Sequence, residues 1–94
     1  MQRDFEQEID GQLVTFTART GTARDVGIFE SGASAPCVVL TSDHAFERSL
    51  GAMVDKEELL SLAIIQTIKH GLIARARQSR QTVHESLVFV ANPG

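Results

Sequence analysis

The sequence predicts an α+β domain, with one small antiparallel sheet and one long helix packed on one face, in the chain order β-β-β-α-α-β. Three observations carry this reading. Residues 12–19 alternate apolar and polar side chains with a period of two, and residues 82–91 return to an extended pattern. Cys37 to Leu40 is a short, wholly apolar run, which suits a strand inside a sheet. From residue 55 to 80 the apolar residues Leu60, Ile64, Ile68 and Leu72 recur every four positions, so a helical winding gathers them on one stripe. A chain of 94 residues fits one domain, 1–94.

Residues 1–10 are polar and are expected to fray, with only Phe5 and Ile9 able to dock them. In the strand 12–19, Val14, Phe16 and Ala18 point one way and Leu13, Thr15 and Thr17 the other. Thr20-Gly21-Thr22 reads as a turn into a second strand, 23–30, so the two form a hairpin. Ser31 to Pro36 has turn composition and closes that strand. After the strand 37–41, Ser42 or Asp43 caps a short helix in which Phe46 and Leu50 meet at i and i+4, with Gly51 as its stop.

Asp55 opens the long helix as N-cap, and Glu58 three residues later completes a capping box. Gly71 leaves two readings. Either the helix runs through to about residue 79, or it stops at His70 and a second element follows. The in-phase Leu72 and Ala76 favour the first. The expected core is Val14, Phe16, Val39, Ile64, Ile68, Leu72 and Phe89.

Composition narrows the function classes. No apolar run reaches the ~18 residues of a membrane span, and the acidic start MQRDFEQEID lacks signal-peptide order. A cytosolic protein with no membrane partner is expected. The lone Cys37 has no intrachain disulfide partner. Through Leu60 there are eleven acidic and five basic residues, and from Ser61 onward one acidic and four basic, against a net charge of −3. Those four, Lys69, Arg75, Arg77 and Arg80, form a candidate anion or nucleic-acid patch. A helix end complementing its own dipole explains the same charges.

Chemistry-bearing motifs are sparse. His44, His70 and His84 fall on three different elements, and only His44 and Glu47, at i and i+3, share one helix face, which is half a metal site. Cys37 lies in the most apolar run, where a thiol behaves as a small hydrophobe with a raised pKa. Gly-x-Ser-x-Gly and Gly-Lys-Ser/Thr patterns are absent, and so are Trp and Tyr. No catalytic residue, cofactor or metal is expected.

Three segments in order, Val14-Thr15-Phe16-Thr17-Ala18, Cys37-Val38-Val39 and Ser49-Leu50-Gly51-Ala52, resemble a small bacterial family catalogued as domain of unknown function fourteen-eighty-eight. The resemblance implies a fold of early strand, Cys strand, short helix, long helix and closing strand. It implies no activity. The leading expectation is a non-enzymatic domain acting through protein association as a homodimer, because Leu59, Leu62 and Ala63 point away from the helix stripe and Leu13, Val38, Leu40, Val88 and Val90 lie on the outer sheet face. The alternative is an anion- or nucleic-acid-binding regulator that uses the basic end of the helix.

Overall fold

Asp10 and Gly11 both take positive φ, 51° and 81°, which makes them the two-residue type I′ turn that right-twisted antiparallel strands favour. A computed structural model of the chain describes residues 1–21, 23–48 and 54–90. In it the turn joins β1 (Gln2–Ile9) to β2 (Gln12–Thr20), paired along their whole length from Gln2↔Arg19 to Ile9↔Gln12. Gln2–Ile9, within the segment expected to fray, is therefore a paired strand. Phe5 and Ile9 pack against the core, and the Phe5 and Phe16 rings stack with centroids 5.7 Å apart. The Asp-Gly pair between alternating residues was the signal for it.

β3 (Val26–Glu30) pairs antiparallel with β2, and β4 (Val38–Thr41) pairs antiparallel with β3. Three helices follow: α1 (His44–Arg48), α2 (Lys56–Lys69) and α3 (Leu72–Ser79). β5 (Val83–Ser86) then returns beside β4 in the same direction, with Val38 opposite Val83. The sheet is mixed, in the order β1-β2-β3-β4-β5, so the expectation of a wholly antiparallel sheet is corrected. A crossover through helices is what lets consecutive sheet neighbours run parallel. The observed element order is β-β-β-β-α-α-α-β within the α+β class.

The predicted single long helix is two helices, bent by 63° at their junction. The α2 start is as expected, with the Asp55 carboxylate accepting the Glu58 N–H at 2.8 Å. Its end is set by His70, whose N–H reaches the Gln66 carbonyl, and by Gly71 in the left-handed region at φ 62°. Eight more residues in line would add about 12 Å of helix. The bend instead keeps both helices on the sheet: α2 lies against β1, β2 and β3, and α3 against β4 and β5. No single helix among the described residues is long and apolar enough to cross a membrane.

The buried face of α2 is Leu59, Leu60, Ala63, Gln66 and Thr67, a quarter turn from the predicted stripe. Ile68 is 46% exposed, while Leu59 and Ala63, expected to point away, are fully buried. Strand parity differs as well. Val38 and Leu40 face the helices at 0% exposure, and Val39 is half-buried on the other side. Ile64 and Val14 are half-buried at the margin of the core, and Phe89, 46% exposed, stacks on Phe46. Phe16 and Leu72 are core, as expected. Asp43 is the α1 cap, accepting the Phe46 N–H at 2.9 Å. Leu50, Gly51 and the segment Ser49 to Ala52 lie outside the described residues, as does Thr22.

Candidate functional site

The site is organised by α3. Leu72, Ile73 and Ala76 fall at i, i+1 and i+4 and bury one face, which leaves Arg75 and Arg77 on the flanks. Arg75 donates to Glu85 of β5 at 2.7 Å, and Arg77 pairs with Glu30 at the end of β3. These pairs brace the helix on both sides. Both are substantially exposed, so each is worth no more than about 1 kcal/mol. The helix closes at Arg80, itself left-handed at φ 57°, with its N–H on the Ala76 carbonyl at 2.8 Å.

Beneath the C-terminal half of α3 lies a cleft of about 300 Å³. Its floor is apolar: Phe16 from β2, Cys37 at the entry to β4, and Ile73 and Ala76 from the helix. One wall is Ala35 and Pro36 from the loop after β3, held to the start of β5 by the Thr82 hydroxyl donating to the Pro36 carbonyl at 2.8 Å. The other carries Arg77, Arg80 and Gln81, with Glu30 beside them. Two guanidiniums against one carboxylate leave this wall with one net positive charge (2 − 1). Arg77 is engaged by Glu30, whereas Arg80 makes no ion pair or side-chain hydrogen bond among the described residues.

The four predicted basic residues are thus not one patch. Arg77 and Arg80 line the cleft, Arg75 is neutralised by Glu85 outside it, and Lys69 ends α2 on the far side of the Gly71 bend. The sequence reading missed Glu30, Pro36, Gln81 and Thr82 as site residues and treated Phe16 and Cys37 as structural only. The turn composition of 31–36 was the one local hint, since loops carry binding residues when a rigid scaffold positions them.

Cys37 brings a thiol into the cleft lining. Cys37 is half-buried, and burial pushes its thiol pKa up, with its Sγ 3.4 Å from the Ile28 carbonyl. It is held as a thiol, the weaker nucleophile. None of His44, His70 and His84 lines it. His44 is exposed on α1, and Glu47 accepts the Ser42 hydroxyl and, at 3.0 Å, the Arg24 guanidinium. Among the described residues, no three His, Cys, Asp or Glu side chains are gathered to hold a metal ion.

No family model, curated protein or solved structure matches this chain.

Proposed function

We propose that the domain is a binding module that takes a small organic anion in the cleft beneath α3. One observation carries this reading: an apolar lining and the Arg80 guanidinium, which has no carboxylate partner among the described residues, meet in a single concavity. Concave, mainly apolar sites with a few convergent polar groups are where small ligands bind. The basic half of the helix acts here as two arginines at a cleft, not as a broad surface. With Arg75 and Arg77 each on a carboxylate, the charge available for a phosphate backbone is small.

The test is a thermal-shift screen of organic anions on the full chain. A ligand at one hundred times its Kd stabilises by about 2.7 kcal/mol, so hits are expected as a raised midpoint that Arg80→Gln abolishes. A screen with no hit overturns the reading. So does nucleic-acid binding that weakens steeply between two salt concentrations, because it restores the broad-patch alternative.

Homodimerisation is the second reading, on a narrower basis than the sequence suggested. Leu59, Ala63, Val38 and Leu40 are satisfied within the chain, and the support that remains is the exposure of Leu13 (69%), Ile68, Val88 and Phe89. Light scattering at micromolar concentration decides it. A dimer mass reduced to monomer by Ile68→Glu supports the reading, and a monomer mass that holds on concentration overturns it.

A further inference from the structure

Resting on the reading of the cleft as an anion site, we infer that its ligand is a monocarboxylate with a compact apolar body, such as an aryl or branched-chain acid, and not a phosphate ester. Three features of the cleft converge on that class.

The first is charge. The wall carries one net positive charge because Glu30 already occupies Arg77. A carboxylate balances it. A phosphate monoester, at about −1.5 to −2 near neutral pH, would overshoot and meet the Glu30 carboxylate as a like charge.

The second is the direction of α3. Phosphate sites are commonly built on helix N-termini, where free N–H groups and the positive dipole end face the anion. This cleft meets the opposite end, since Ala76, Arg77 and Arg80 belong to the last turn and cap of α3. Carbonyls and negative partial charge lie there. Only a side chain supplies attraction, and the planar Arg80 fork gives a two-point contact to the oxygens of a carboxylate or a phosphate alike, so it is the missing N-terminal amides that count against the phosphate.

The third is the floor. Phe16 and Ile73 are already buried beneath it, so acetate alone would leave the accessible apolar surface of Ala35, Pro36 and Cys37 uncovered, whereas a ring or branched chain on the acid fills that part. The volume of about 300 Å³ restricts that body to a small one, being at the low end for ligand pockets.

The experiment is NMR titration of the full chain with phenylacetate, 3-methylbutanoate, acetate, phenylacetamide, phenyl phosphate and inorganic phosphate. Phenylacetate or 3-methylbutanoate is expected to move the amides of Cys37, Ala76, Arg80 and Thr82 to saturation. Loss of the charged contact in Arg80→Gln is expected to weaken that binding about tenfold or more. Arg80→Lys should weaken it also, because it keeps the charge and loses the fork. Acetate, phenylacetamide and both phosphates should bind more weakly than phenylacetate. Phenyl phosphate binding as tightly as phenylacetate overturns the ligand class and leaves the anion site standing. Phenylacetamide binding as tightly as the acid overturns the role of charge. If no probe moves the cleft amides, the class and the site fall together.

Discussion

Asp43 and Glu47 hold their protons less tightly than free carboxyls do, and each for a named reason. For Asp43 the main cause is the Phe46 N–H, followed by the Ser86 hydroxyl. For Glu47 it is the Ser42 hydroxyl, followed by Arg24. A carboxyl with a depressed folded pKa contributes stability that is present above its unfolded value and lost as pH falls through the folded one. The loss should therefore develop below the ordinary values of 3.8 and 4.5. Asn keeps the α1 cap and Gln keeps a hydrogen-bonding side chain at 47, so the double variant Asp43→Asn/Glu47→Gln isolates the titration. Its urea midpoint should fall less than the wild type's between pH 6 and pH 3, and equal falls would show that other groups dominate. At this scale the sequence was legible where partners are local. Asp55 and Glu58 are three apart, and the cap is there. It was illegible at Gln66, a polar residue on the buried face of α2 whose amide donates to the Ser86 carbonyl and accepts the Val88 N–H. Partners twenty and twenty-two residues away leave no local pattern, and because Gln66 and Thr67 are polar the apolar stripe was drawn through Ile68 instead.

At the level of the element, Gly71 gives a test whose sign separates two structures. In a continuous helix, Gly71→Ala would stabilise by about 1 kcal/mol. At φ 62° the added Cβ meets no neighbouring atom, so its cost is conformational, about 1–2 kcal/mol against stability. The midpoint should therefore fall, by about 4–8 °C per kcal/mol in a domain this small, and a rise would restore the unbroken helix. The residues Lys69-His70-Gly71 did carry a C-terminal signal. It was outweighed because Leu72 and Ala76 stay in phase across the break, and phase says nothing about a bend whose purpose is to hold α3 over β4 and β5. The β1–β2 hairpin was likewise legible in Asp10-Gly11, but the charges Arg3, Asp4, Glu6 and Glu8 masked an edge strand whose alternate residues Phe5 and Ile9 face the core.

For the molecule as a whole, strand direction was the hidden variable. The apolar run at Cys37 to Leu40 announced an inner strand, but neither β4 nor β5 states which way its neighbour runs. That follows from the helical crossover between them. The cleft is harder still to read, because it is built from β2, the loop before β4, α3 and the approach to β5, and because Glu85 and Glu30 decide which arginines are already occupied.

The parallel pairing of β5 on β4 also has a kinetic consequence. Ile9 and Gln12 meet across three residues, whereas Val38 and Val83 must meet across 45 (83 − 38). Closing the longer loop costs more entropy before any contact rewards it, so β5 should dock after the β1–β4 meander has formed. In stopped-flow chevrons, Val83→Ala should accelerate unfolding and leave the folding rate nearly unchanged, while Phe16→Leu should slow folding. The opposite partition would place β5 in the nucleus. Thr82, which anchors the cleft wall to Pro36, directly precedes β5. The cleft is then completed only on the native side of the rate-limiting barrier, so an occupant should lengthen the lifetime of the folded chain without hastening its formation.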